Sequence, residues 1–208
     1  MYQKRVASFL SPNGPRNFVR KTGDGRTNGQ ELGDPNCTWK ENSTPETNQG
    51  LSHPEVKNVT IRFPNTSVPN FETNYFCMTF DLPTDGDYHV IAMTPVIDNV
   101  IVMHHLLLFG CDSDKQGEIS GPTACEMGSV QCNTLFGAWT VGSAGQCLYH
   151  EAGIRIGQKG IKRVLMQVHW NNPEMRDDYS DSSGMTLHYT PKLRPNSAAN
   201  SRVTAKES

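Results

Sequence analysis

The chain has 208 residues, 19% of them charged and 36% hydrophobic, with a formal net charge of -2. That length supports one good core with tails, and the charge balance shows nothing of the basic face a nucleic-acid partner would require. No apolar run reaches the roughly 18 residues of a membrane span, so no transmembrane segment is expected.

The N-terminus, "MYQKRVASFLSPNGP", begins with basic residues but lacks the apolar stretch of about 7 to 15 residues that a signal peptide needs. Asn, Gly, Pro, Thr and Ser then dominate as far as Pro54, a composition that buries too little apolar area to offset its ordering entropy. Residues 1–54 are therefore expected to form a flexible, disordered leader. Four N-glycosylation sequons fall in or just after it, at Asn36, Asn42, Asn58 and Asn65. Six cysteines, at 37, 77, 111, 125, 132 and 147, are many for a cytosolic enzyme and ordinary for a disulfide-stapled secreted domain. Sequons and cysteines together point to a secreted or secretory-lumen protein; the missing signal peptide means either an incomplete or alternative product, the reading preferred here, or that secretion is the wrong inference.

Short β-type runs bounded by turn residues follow. They are "VTIRF" at 59–63, "YFCMTFDL" at 75–82, "YHVIAMTPV" at 88–96, "VIVMHHLLLF" at 100–109, "GIRIG" at 153–157, "RVLMQVHW" at 163–170 and "GMTLHYT" at 184–190. Helical spacing is hardly visible. The pattern predicts an all-β domain over 55–194, an antiparallel, jelly-roll-like sandwich, followed by a flexible tail over 195–208. Residues 112–152 carry three of the six cysteines and form a loop too long to be idle.

The run at 100–109 raises the chemical question, because it buries His104 and His105 among aliphatic residues. A polar ring taken from water costs free energy unless its nitrogens find partners. Successive residues of a strand point to opposite faces. For both rings to reach one ion, the strand must therefore bulge, twist or end near them. In "VLMQVHWNNP", Leu165, Gln167 and His169 share a face, with His169 close to the strand end. Three imidazoles from two strands would suit copper or zinc; the alternative is a set of histidines bonded only to backbone. His53, His89, His150 and His188 read as solvated or hydrogen-bonded histidines outside any site.

The segments "YFCMTFDLP", "HHLLLFGC", "LMQVHW" and "DSSGMTLHYTPKLRP" resemble, in order and spacing, the N-terminal copper domain of the copper type II, ascorbate-dependent monooxygenases. The likeness covers about 55–195, and "DSSG" and "YTPKLR" resemble the dopamine and monooxygenase X branch. It implies His104, His105 and His169 as ligands of one copper ion that is reduced by ascorbate and transfers electrons. Gln167, one side-chain step from His169 on the same face, is a candidate for supporting those ligands, the alternative being a surface amide. Trp170 stands where the family usually has tyrosine, a change expected to alter packing more than ligation.

The same resemblance implies disulfides Cys77–Cys125 and Cys111–Cys132, which would pin the long loop to the histidine strand. Cys37 and Cys147 have no family partner; they could pair with each other, stay reduced, or bond elsewhere. Ser182 occupies a position where the peptide-amidating branch has cysteine. Family enzymes carry a second domain whose copper binds O2 and hydroxylates a substrate C–H bond. Its HxH segment has no counterpart here, so one copper and no hydroxylation by this polypeptide alone are expected. The alternative is a secreted copper-binding or matrix module without hydroxylase activity. Hydrolase motifs such as GxSxG, Walker A and HExxH are lacking.

Overall fold

The computed structural model describes residues 55–111, 121–125, 132–148 and 151–198. Among the described residues, thirteen strands run in the order β1 (Lys57–Arg62), β2 (Thr66–Ser67), β3 (Thr73–Asp81), β4 (Asp87–Val96), β5 (Met103–Gly110), β6 (Thr123–Ala124), β7 (Thr134–Thr140), β8 (Gln146–Cys147), β9 (Ala152–Gly157), β10 (Arg163–Asn171), β11 (Ser180–Asp181), β12 (Gly184–Thr190) and β13 (Asn196–Ser197). No helix occurs among the described residues, and none is long and apolar enough to cross a membrane.

The strands form a six-stranded sheet, β1-β12-β4-β9-β13 with β8 also on β4, and a five-stranded sheet, β6-β3-β10-β5-β7. A two-stranded ribbon of β2 and β11 stands beside them. Apart from the short parallel pair β9–β13, the ladders are antiparallel. Both sheets turn one face to a shared core. Val90, Met93, Ile156 and Leu187 come from the larger sheet, and Leu106, Leu108, Val168 and Trp170 from the smaller. This is the predicted antiparallel sandwich, built from side chains that alternate in and out along each strand.

Alternation is clearest in β10. Val164, Met166, Val168 and Trp170 enter the main core, whereas Leu165 joins Cys77, Phe109, Cys111 and Cys132 in a second apolar cluster. Gln167 and His169 therefore share the side of the five-stranded sheet away from the sandwich interior.

The structure departs from the sequence pattern in three places. Val100 and Ile101 are 77% and 69% exposed, and β5 begins only at Met103. Their apolar character suggested strand, but Asn99 closes a turn there: its carbonyl accepts from Met103 N–H at 3.0 Å and its Oδ1 from Ile101 N–H at 3.1 Å. Within the expected long loop, β7 forms the edge beside β5. Gly137 in its middle hid it; a Cβ there would stand 2.5 Å from Met93 Sδ, so a larger residue would require the Met93 side chain to shift. Finally, Asn196 and Ala198 donate to the carbonyls of Glu151 and Gly153, so paired backbone runs on past Arg194.

Candidate metal centre

β5 and β10 are neighbours, with His105 directly opposite His169. One step further on, Trp170 faces Met103, so His104 has no opposing residue. This is a β-bulge, two residues against one, and it re-aims a side chain that strict alternation would send to the other face. The neighbouring strand accommodates it: Val141 N–H reaches the His104 carbonyl at 3.2 Å. The geometric demand made by two adjacent histidines is met by this irregularity.

The three Nδ1 atoms converge. His105 Nδ1 lies 3.3 Å from His104 Nδ1 and 3.2 Å from His169 Nδ1. An ion about 2.0 Å from each nitrogen at a near-tetrahedral angle requires separations of about 3.3 Å, which both distances from His105 match, and the ligand nitrogens of all three rings lie within 4.8 Å of one another. Hydrogen bonding accounts for it less well. An imidazole nitrogen carries either one proton or one in-plane lone pair, and His105 Nδ1 would have to serve two neighbours with it. Among the described residues, these three histidines are the one group of potential ligands drawn together in this way.

Burial differs around the trio: His104 is exposed, while His105 and His169 are half-buried. Burial, followed by the neighbouring His104, lowers the His105 pKa. Burial, followed by His105 and His104, lowers that of His169 from 6.5 to about 4. Both rings therefore remain neutral near pH 7, the state in which imidazole can donate to a metal. Binding through Nδ1 leaves the ring proton on Nε2, and His169 Nε2 is buried without a hydrogen-bond partner among the described residues. Tyr75, across β3, stacks on the same ring.

Below the histidines on this face lies Gln167, fully buried rather than a surface amide. Its Nε2 is 3.8 Å from Cys125 Sγ and 4.0 Å from Cys77 Sγ. Those two cysteines form one disulfide, and Cys111 and Cys132 form the other. Both are the pairings that the resemblance implied, and each ties a distant segment to a strand next to a ligand. Cys147 lies in β8 and is half-buried; Cys37 lies outside the described residues.

The other histidines stay apart. His89 is buried, accepting Arg194 N–H on Nδ1 at 3.0 Å, with Ser197 Oγ 3.3 Å from Nε2. His188 Nε2 is 3.0 Å from Thr94 Oγ1. His53 and His150 fall outside the described residues.

The family model described as copper type II ascorbate-dependent monooxygenase, N-terminal domain, matches residues 59–177 and so contains all three histidines. The chain belongs to this family. A rat dopamine beta-hydroxylase is 32% identical over 163 residues, 74% of this chain and 26% of the relative. A tyramine beta-hydroxylase of Caenorhabditis briggsae is 32% identical over 163 residues, covering 72% and 28%. A chicken DBH-like monooxygenase protein 1 is 33% identical over 138 residues, covering 61% and 22%. The chain thus spans about a quarter of the length of the curated relatives it matches. A second model, described as Temptin C-terminal, matches residues 20–56, nearly all outside the described residues.

Within the copper monooxygenase domain, two residues beside the site escaped the sequence reading. Tyr75 offered no signal, because its place depends on its register opposite His169, 94 positions away. Asp181 fell inside the "DSSG" segment but was singled out for no role. Trp170 gains meaning from it, for the indole Nε1 donates to Asp181 Oδ2 at 2.9 Å.

Proposed function

We propose that this chain supplies the electron-transfer copper centre of an ascorbate-dependent monooxygenase, with His104, His105 and His169 binding one ion through Nδ1. The observation that carries this reading is the convergence of three Nδ1 atoms at a bulge, in a domain of this family. Copper held by three imidazoles would accept single electrons from ascorbate and release them to a second centre. The chain's own residues do the rest. β5 and β10 hold the rings in register, Tyr75 backs His169, and buried Gln167 packs between the ligands and the Cys77–Cys125 bridge.

Hydroxylation of a substrate C–H bond by O2 would take place at a second copper domain outside residues 55–194. The disulfides, together with exposed Asn58 and Asn65 as glycan acceptors, support a secreted or secretory-lumen setting. Asn36 and Asn42 are further acceptor candidates outside the described residues.

The test is copper titration of the metal-free chain, followed by ascorbate. We expect one ion per chain, a Cu(II) EPR spectrum with nitrogen coordination, and its loss on reduction. Absence of stoichiometric copper binding, or a bound ion that ascorbate cannot reduce, would refute the assignment.

A further inference from the structure

The bulge brings His104 towards His105, but a bulge at a strand entrance must be held against slippage. The segment entering β5 is the loop from Ile97 to Val102, which crosses from β4 in one sheet to β5 in the other. A backbone bond to β10 at this end runs from Asn171 N–H to the Val102 carbonyl, at 2.7 Å. Besides the bonds within its own turn, further restraint comes from a segment of neither strand.

Asp181 is fully buried, and its carboxylate accepts four hydrogen bonds. Oδ1 accepts from Asn99 N–H at 3.0 Å and Ser183 Oγ–H at 2.6 Å. Oδ2 accepts from Trp170 Nε1–H at 2.9 Å and Ser183 N–H at 3.2 Å. A carboxylate taken out of water persists only when its lone pairs are occupied in this way. Two of the donors matter for the site. Asn99 begins the turn into the His104–His105 pair, and Trp170 directly follows His169.

The same loop is gripped a second time. Asp98 Oδ2 accepts from Ser182 N–H at 3.0 Å and Ser182 Oγ–H at 2.9 Å, and Asn99 Nδ2 donates to the Ser180 carbonyl at 2.9 Å. Residues 180–183 thus hold the loop from both sides of Asp181. We propose that Asp181 is a positioning residue that fixes the separation of the His104–His105 pair from His169. It does so by holding the loop ahead of the pair and the indole behind His169 on one buried carboxylate. The proposal rests on the copper reading above, but its geometric content concerns the metal-free protein as well.

The experiment compares the parent chain with Asp181→Asn, Trp170→Phe and the double variant. In Asp181→Asn the amide must turn its NH2 towards either Asn99 N–H or Trp170 Nε1–H, so one donor faces another. Removing the indole donor in the double variant relieves that conflict in part, because only the longer Ser183 N–H contact, 3.2 Å in the parent, is left facing the NH2 on that side. We expect Asp181→Asn to weaken copper affinity by about tenfold, the scale of losing support behind a ligand, and to alter the Cu(II) EPR parameters. Trp170→Phe should shift the spectrum less, and the double variant should recover part of the affinity.

In the metal-free chain, the Val141 and Asn171 amides, which bond across the bulge, should exchange faster in Asp181→Asn. Lower thermal stability with parental EPR spectrum, affinity and amide exchange would overturn the proposal. If Asp181→Asn does not fold, Trp170→Phe decides alone, and a parental spectrum and affinity there overturn it. A parent chain that takes up no copper would count against the metal reading, and amide exchange would then decide the positioning claim.

Discussion

Tyr75 lies almost flat on His169, with ring centroids 4.4 Å apart and planes inclined by 17°. The same phenol ring is tilted towards His105 at 6.1 Å. A stacked aromatic wall fixes the rotation of an imidazole about its χ2, and that rotation sets where Nδ1 points. Tyr75→Ala should therefore weaken copper binding about tenfold, while Tyr75→Phe, which keeps the wall, should bind like the parent. Competition titration against a Cu(I) chelator measures both. Equal affinity for all three proteins would remove Tyr75 from the site.

His169→Ala deletes one of three donors. Copper affinity should fall by more than about 100-fold, beyond the loss expected from an outer-shell partner. His188→Ala, on the other sheet and bonded to Thr94, should leave affinity unchanged. Unaltered stoichiometry and affinity in His169→Ala would place the ion elsewhere.

The bridges Cys111–Cys132 and Cys77–Cys125 close loops with sequence separations of 21 and 48. By chain entropy these contribute about 3 and about 4 kcal/mol of stability. Both sit in the apolar cluster on the ligand-bearing side of the sheet. Reduction should lower the denaturation midpoint and weaken copper binding together. Reduced, folded protein that binds copper as tightly as the oxidised form would separate bridge from site.

Acid should destabilise the metal-free domain through its buried histidines. Burial lowers the pKa of His89, His105, His169 and His188 in the folded state, from 6.5 to about 4 for His169. The unfolded chain takes up those protons below about 6.5 while the folded chain resists. Stability is thus unaffected above that value and falls as pH drops from about 6.5 towards 4. Thermal melts across this window should show the decline, and His169→Gln should reduce it. A melting temperature constant from pH 7 to pH 4.5 would contradict the assignment.

The sandwich was legible because its long strands alternate: β10 reads inside and outside as written, from Val164 to His169. β7 was not, because Gly137 breaks the run of apolar side chains and three cysteines nearby suggested loop. Two-residue strands such as β2 and β11 are shorter than any period that could reveal them. At the site, the adjacency of His104 and His105 demanded a bulge, a twist or a strand end, but not which of these or where; the bulge follows from the pairing of His105 with His169 across 64 residues of chain. Tyr75 and Asp181 were hidden for the same reason, since side chains meet there through register and not through neighbourhood in sequence.

The unequal burial of the three rings gives the centre a front and a back. His105 and His169 are backed by the sheet, Tyr75 and the bridged cluster, whereas His104 meets solvent. A reductant or a docking protein would gain electronic contact across the His104 edge first. On the electron-transfer reading proposed above, entry and exit would share one doorway, so a bulky partner seated over it would shut out a small reductant for as long as it stayed.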